Sequence, residues 1–439
     1  MDSLHNDSSY GTMNYERFQN EACIARRSSP LRDLPEMLDA RPNAISMAGG
    51  LPDPVTCPFI EATIKLRDGS QLQIDKDEMK FCTQYSNTEG FLALRQWFKE
   101  LQRRVHNPPA MEDSTHPGQT DVIIMNGSQD ALCQSLDAMV SPGDNVLIES
   151  PSYPVPVSIL QPLGCNMLPV ESDADGMDPD KLRHILSRWS PADAKNPNSD
   201  IPKILYCVPT GGNPTGSSLT LKRKQEIYRL AQEYDIMILE DDPYYYIQFA
   251  ETLVPSFLSL DVDGRVMRFD SLSKLLSPGA RLGFLTGPRP LVQKVIFKIM
   301  SSTMHANGIA QMFVLSALNK WGHDGFLARA KEISDLYLEK SQQCIKYMKK
   351  HLTGLAEWTE PTGGMFIWIK ILGITNTTDL VFKAYLKDVL FVGGNVFHVD
   401  RSAPSEYIRV SFSLATCENM DKAFSRLAEC LKEELPPKT

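Results

Sequence analysis

Between about residues 120 and 290 the chain alternates short apolar runs with longer amphipathic stretches. DVIIM (121–125) reads as a strand, and GSQDALCQSLDAMV (127–140) as the helix that follows it. DNVLIES, KILYCV, DIMILED, RVMRF and RLGFLTG are further strand candidates. LTLKRKQEIYRLAQEYD (219–235) is the clearest helix between two of them. Alternation of this kind predicts a mainly parallel sheet wrapped by helices on both faces. Such sheets carry their sites at the carboxyl ends of strands, so those ends are where chemistry is sought.

The character changes after PLVQKVIFKIMSSTM (290–304). A charged amphipathic stretch (324–351) leads into LAEWTEPTGGMFIWIKI, VLFVGGNVF, YIRVSFS and a closing helix near 417–434, which predicts a separate α+β lobe. Residues 1–50 read as an arm contributing to the small lobe, 51–320 as the large domain and 321–439 as the small C-terminal domain. The polar segment 187–200 reads as a surface loop.

With 439 residues, 42% of them hydrophobic, the chain can bury a large core split between two lobes. A net charge of −9 weighs against nucleic acid or an anionic membrane as the main partner, so any phosphate or carboxylate site must be local. No stretch approaches the roughly 18 apolar residues of a membrane span. The nine cysteines include no CxxC pair and the eight histidines no HxH or HExxH. Neither a disulfide framework nor a metal site is expected, and a reducing compartment fits. The first dozen residues lack the apolar core of a signal peptide. Arg17, Arg26, Arg27 and Arg32 have the charge of a transit peptide, whereas Asp2, Asp7, Glu16 and Glu21 have the wrong one.

Polar residues punctuate the strand ends. Gly127–Ser128–Gln129 closes one strand and opens a helix; a plain cap explains Ser128, although a helix N-terminus is also a natural phosphate site. GGNPTG (211–216) is an ordinary turn sequence, or a loop that aims Asn213 into a cleft. Asp241 follows the apolar MILE, and a buried carboxylate needs a cationic partner. Tyr153 and Tyr244 read singly as packing. In SLSKLLSPGAR (271–281), Lys274 sits among hydroxyls ahead of Arg281. A lysine held in a pocket can lose its proton and attack a carbonyl. Arg409, inside the apolar YIRVSF, reads by itself as half of an internal salt bridge.

Their order along the chain carries the weight. Together with MNYERF, SMAGGLPDP, the QYS around Tyr85, VHNPP, LSRWSPADAKNP, EDDPYY, DVDGRV, RLGFLTGP, LTGLAEW and GMFIWIK, these motifs resemble the class I, fold-type-I aminotransferases that depend on pyridoxal phosphate. The resemblance is greatest to the kynurenine/α-aminoadipate aminotransferases and runs from Met13 to the C-terminus. It implies a large cofactor-binding domain with a mainly parallel seven-stranded sheet wrapped by helices. A smaller α+β C-terminal domain would pack with the N-terminal segment.

The resemblance also implies roles. Lys274 would bind the cofactor aldehyde through its amine. Asp241 would keep the pyridine nitrogen protonated, since a nearby negative charge raises its pKa. Asn213 and Tyr244 would hydrogen-bond the ring hydroxyl oxygen, and Tyr153 would stack on the ring. Ser128, Gln129, Ser271, Ser273 and Arg281 would hold the phosphate. Tyr85 would reach the phosphate of a neighbouring subunit, so a homodimer is expected. Arg409 would clamp the substrate α-carboxylate, with Asn213, Tyr153, Gly50, Arg32 and Phe366 also on the substrate side.

The chain departs from the family pattern at TGGNPTG, where the relatives carry an NGNNPTG-type loop. LLSPGAR replaces IISSGLR, and VLFVGGNVF has Gly-Gly where Pro-Gly is usual. These changes bear on substrate preference and loop mobility, because every residue with a chemical role is retained. The expected activity is transfer of the amino group of L-kynurenine, L-2-aminoadipate and related aromatic or aliphatic amino acids to a 2-oxo acid such as 2-oxoglutarate. Two rivals are a C–S β-lyase on the same fold and an aminotransferase-like transcription regulator. The regulator would need a basic helix-turn-helix ahead of Met13, where the sequence holds Asp2 and Asp7 instead. By resemblance the location is mitochondrial, with the cytosol as alternative.

Overall fold

The computed structural model describes residues 13–29, 41, 43–45, 47–48, 50–112 and 115–434. Fourteen strands are assigned among them: β1 Ala62–Lys65, β2 Gln71–Ile74, β3 Thr120–Met125, β4 Asn145–Ser150, β5 Asn166–Asp173, β6 Gly176–Met177 and β7 Ile204–Cys207. The others are β8 Met237–Asp241, β9 Val266–Ser271, β10 Gly283–Pro288, β11 Ala356–Trp358, β12 Phe366–Ile371, β13 Val392–Gly393 and β14 Tyr407–Ser411. The large sheet has eight strands in the order β3-β10-β9-β8-β7-β4-β5-β6, rather than the seven expected. The addition is β6, two residues that fold back antiparallel on the end of β5 through Gly176.

Every strand read from the apolar runs of the large domain is present. β5 was not legible, because NMLPVESD mixes polar residues with Pro169 and exposes half of its positions. It pairs in parallel with β4 along its length, while β6 covers only Ser172 and Asp173 on the other side. Proline cannot donate to a ladder and is tolerated at such an edge.

By contacts the chain forms two compact units, Met1–Pro142 with Leu258–Ala328, and Gly143–Phe257 with Arg329–Thr439. In the first unit, β10 runs antiparallel to both β3 and β9. Asp270 on β9 is buried and accepts from Gln102 Nε2 at 2.8 Å and Arg268 Nη2 at 3.0 Å. That satisfies a charge which would otherwise be costly inside a sheet. It also anchors the strand end that carries Ser271.

In the second unit β4, β5, β7 and β8 pair in parallel. Strands β7 and β8 are buried at every position, as expected for strands covered on both faces. Glu149 near the end of β4 is buried, accepting from Val208 N at 2.9 Å and Ser172 Oγ at 3.3 Å. Burial pushes its carboxyl up to about 7. The second unit also holds the expected α+β element, an antiparallel sheet ordered β11-β12-β14-β13. Its inner face, with Ile367, Ile369, Ile408 and Val410, packs on Leu380, Phe424, Leu427 and Leu431 from the helices Thr378–Leu386 and Cys417–Glu434. The alternation of FIWIKI and YIRVS places Trp368 and Arg409 together on the other face.

Candidate active site

In the first unit, β9 ends at Ser271 and the chain turns immediately through Leu272–Leu276. Leu272 and Leu275 are buried and pin this turn, leaving Lys274 half-buried between them. Among the described residues no carboxylate pairs with Lys274. Burial, and then the Arg281 guanidinium, hold its amine below the ordinary lysine range. Both effects favour the neutral, nucleophilic form. Ser271 Oγ accepts from Ser273 N at 3.2 Å, which closes the turn.

Arg281 adopts a left-handed backbone conformation (φ 50°) after the short 3₁₀ turn Pro278–Ala280. Its Nη1 donates to Ser273 Oγ at 3.5 Å and to Pro278 O at 3.2 Å, and its Nη2 to Asn126 O at 3.4 Å. No carboxylate pairs with it among the described residues. Gly127 (φ 89°) lies directly under this guanidinium, and a Cβ there would come within 2.7 Å of Nη2. The helix Ser128–Met139 starts at that point with no side-chain cap, and a helix N-terminus is a natural place for an anion. Hydroxyls, uncapped N–H groups and a guanidinium without a carboxylate therefore converge. Tyr85 is exposed, its ring edge-on to His305 with centroids 6.1 Å apart.

The second unit carries Asp241, Tyr244, Tyr153, Asn213, Phe366 and Arg409. Asp241 is the last residue of β8 and is buried. Its Oδ2 accepts from Tyr206 Oη at 2.8 Å. Burial, then the Asp241 charge, push the Tyr206 phenol well above its usual value, so it remains a donor. Tyr206 was missed in the sequence, where the Tyr in KILYCV passes as one more buried strand residue. The available signal was its place on the neighbouring parallel strand, paired with Leu239, two residues before Asp241. Tyr244 is also buried and its phenol is raised, first by burial and then by Asp241. Tyr153 precedes the helix Pro154–Leu160.

The loop Thr210–Ser217 crosses Gly363–Gly364 backbone against backbone. At Gly211 (φ 51°) a Cβ would collide with the Gly364 nitrogen. This crossing brings Asn213 to Arg409, whose Nη1 donates to Asn213 Oδ1 at 2.9 Å. Arg409 Cζ lies 4.5 Å from the centroid of Phe366 and 5.0 Å from that of Phe397. Its Nε is buried and has no hydrogen-bond partner. No carboxylate pairs with Arg409 among the described residues, so the internal salt bridge that the sequence admitted is not formed. Burial lowers its pKa, but a guanidinium stays charged at any working pH. A buried cation of this kind calls for an anion from outside the chain.

Residues 57–427 match the family described as aminotransferase class I and II. The chain belongs to that family. This aminotransferase is 46% identical over 425 residues to the mitochondrial kynurenine/alpha-aminoadipate aminotransferase of Bos taurus, covering 96% of this chain and 100% of the relative. It is 37% identical to the aminotransferase tdiD of Emericella nidulans, over 89% and 90% of the two chains. Among solved structures it resembles the aminotransferase Aro8 of Candida albicans, with TM-score 0.85 and 25% identity over 96% and 99% of the chains. It also resembles LysN, the alpha-aminoadipate aminotransferase of Thermus thermophilus complexed with N-(5'-phosphopyridoxyl)-L-leucine, with TM-score 0.69 and 26% identity over 94% and 97%.

The aminotransferase's cofactor is pyridoxal phosphate, and its residues fit that group. The cradle of Gly127, the uncapped helix start, Ser271, Ser273 and Arg281 suits a phosphate dianion. Lys274 suits an aldehyde, and the Asp241 carboxylate suits a protonated pyridine nitrogen. The structure thus brings together Ser271, Ser273, Lys274 and Arg281 with Gly127 in one unit, and Asn213, Phe366 and Arg409 in the other. Gly50 is exposed with open space around it. Arg32 lies outside the described residues. Besides Tyr206, sequence reasoning missed Phe397, which VLFVGGNVF presents as ordinary apolar filling.

Proposed function

We propose that this aminotransferase moves the α-amino group of L-kynurenine, L-2-aminoadipate and related aromatic or aliphatic amino acids to a 2-oxo acid such as 2-oxoglutarate. The observation that carries this reading is Arg409, a buried guanidinium bonded to Asn213 and lacking a carboxylate. Every amino donor and every oxo acceptor supplies the α-carboxylate it needs. The aromatic rings of Phe366 and Phe397 beside it favour donors with a flat or apolar side chain.

Bound pyridoxal phosphate supplies a carbonyl for the substrate amine and a ring that takes up electrons released at Cα. The chain's own groups do the rest. Lys274, as a free amine, would take the proton from substrate Cα; burial and Arg281, which lower its pKa, favour the neutral form that accepts one. Asp241, fixed by Tyr206, would keep the pyridine nitrogen in its protonated form. Asn213 and Tyr244 would hydrogen-bond the ring hydroxyl oxygen, and Tyr153 would support the ring. Ser128, Gln129, Ser271, Ser273 and Arg281 would hold the phosphate, and Arg409 would fix the substrate through its α-carboxylate.

A homodimer follows from the same reading. Tyr85 is exposed, as are Val55, Phe59, Ile60, Phe81 and Leu92 in the same unit, an apolar set that a second copy would cover. Mitochondrial location is proposed from the names of the relatives. The deciding experiment is a panel of amino donors and oxo acids on the purified protein. Kynurenine or 2-aminoadipate with 2-oxoglutarate should lead it. Release of pyruvate from a cysteine conjugate, faster than any transfer, would instead indicate β-elimination as the main reaction.

A further inference from the structure

A chain of aromatic contacts runs behind Arg409. Arg409 and Trp368 are direct partners in the antiparallel β12–β14 ladder, so their side chains leave the same face of the sheet. Trp368 stacks on Tyr407 (centroids 5.2 Å, planes 6° apart) and cannot turn without breaking that stack. The edge-to-face contact between Trp368 and Phe397 (5.5 Å, 89°) then fixes the Phe397 ring. Phe397 is almost fully buried, and its carbonyl accepts from Ser152 N at 2.8 Å, which ties its backbone to the segment carrying Tyr153. The Arg409 guanidinium lies over this immobilised ring.

From this geometry we infer that Phe397 is a positioning residue, whose π face holds the Arg409 guanidinium in the orientation that receives the substrate carboxylate. The inference rests on the reading of Arg409 as the carboxylate anchor. Nε is buried, and one N–H of Nη1 is committed to Asn213. The edge left for a two-point carboxylate is therefore the outer one, formed by Nη2 and the second N–H of Nη1. An arginine free to rotate about its last torsions would not keep that edge presented. A ring quadrupole attracts the cation without using any of its N–H donors, so it can orient the group and leave the fork open. A carboxylate partner in the same place would fix the arginine equally well and also neutralise it.

The test uses the enzyme loaded with pyridoxal phosphate and titrates it calorimetrically with 3-phenylpropionate, a carboxylate with no amine. Its uncharged amide, 3-phenylpropanamide, is the control. Position 397 is varied through 4-fluoro-, 3,5-difluoro- and 3,4,5-trifluorophenylalanine, which progressively weaken the π face at nearly constant shape, and through Phe397→Leu. Carboxylate affinity should fall stepwise along the fluorinated series and be lower by about three- to thirtyfold in Phe397→Leu. Amide affinity, thermal midpoint and the cofactor absorption band should stay in place along the fluorinated series. A flat response to fluorination overturns the role of Phe397, whether or not the leucine variant folds. Arg409→Gln separates the two levels. If it removes the preference for carboxylate over amide while fluorination has no effect, only the positioning role fails. If it leaves that preference intact, the anchor reading fails and the inference with it.

Discussion

Arg409 Nη1 and Asn213 Oδ1 are joined by a 2.9 Å hydrogen bond between residues 196 positions apart in the chain. This bond gives a buried guanidinium a neutral acceptor and no counter-charge, so its remaining donors are kept for a ligand. Arg409→Lys should keep the fold, since Trp368, Val392 and the β14 ladder stay in register around it. The half-saturating concentrations of donors and acceptors should rise together, by tenfold or more. A charge-assisted hydrogen bond is worth about 1.5–3 kcal/mol, and every 1.4 kcal/mol is a factor of ten. Steady-state kinetics with two donors and two acceptors check this; an effect confined to one substrate would contradict a shared carboxylate anchor.

Lys274 pairs with no carboxylate among the described residues and faces a second cation in Arg281. Lys274→Ala should still bind pyridoxal phosphate through the Arg281 cradle but lose the covalent absorption band of the native enzyme. Amino transfer should fall to the limit of detection. Absorbance spectra and single-turnover assays decide the matter, and a native band in the variant would move the nucleophile elsewhere.

Tyr206 supports Asp241 from the adjacent strand without reaching past it. Asp241→Ala should slow the chemical step by about 10²–10³, as removal of one preorganised electrostatic partner does. Tyr206→Phe leaves the carboxylate in place but removes one hydrogen bond from it. It should slow the same step by roughly tenfold, the worth of one hydrogen bond to a charged group. In the double variant the tyrosine effect should vanish, because it acts through Asp241. Additive losses in a double-mutant cycle would show that Tyr206 has a separate role.

Gly127 is confined by Arg281. A methyl group at Gly127→Ala would sit within 2.7 Å of Nη2 and oppose a positive φ. The guanidinium has to move, so cofactor affinity should fall while kcat at saturating cofactor changes little. Equilibrium dialysis of pyridoxal phosphate measures the first and assays at high cofactor the second. Native affinity in the variant would place the phosphate away from this cradle.

Glu149 predicts a pH dependence of stability. Its carboxyl rises from 4.5 to about 7 on burial, so between those values the folded chain binds more protons than the unfolded one. Stability from this group is complete below about 4.5 and is lost as pH climbs through about 7. Each pKa unit corresponds to about 1.4 kcal/mol, which sets the loss on the order of 3 kcal/mol by about pH 8. Glu149→Gln keeps the acceptor for Val208 N and has nothing to ionise. It should be more stable than the native chain at about pH 8 and no more stable at about pH 4.5, as read from denaturant midpoints. Parallel curves for the two proteins would refute the assignment.

The apolar runs determined the strands of the large sheet wherever burial on both faces made them continuous, as in KILYCV and DIMILED. The strict alternation in FIWIKI and YIRVS likewise determined which side of the small sheet faces the helices. Local spacing was enough to group Ser271, Ser273, Lys274 and Arg281, because all four lie in the short segment 271–281 that follows β9. β5 and β6 were hidden because an edge strand tolerates proline and polar residues, and a two-residue strand has no period. Tertiary structure alone decided what Arg409 does. Its alternatives, a carboxylate within the chain or none, differ only in which distant segments meet it. The backbone crossing of Gly211 with Gly364 brings Asn213 there instead of an acid, while the rings of Phe366 and Phe397 flank the guanidinium without offering a charge. A charge pattern along one dimension carries no record of which pairings folding will exclude.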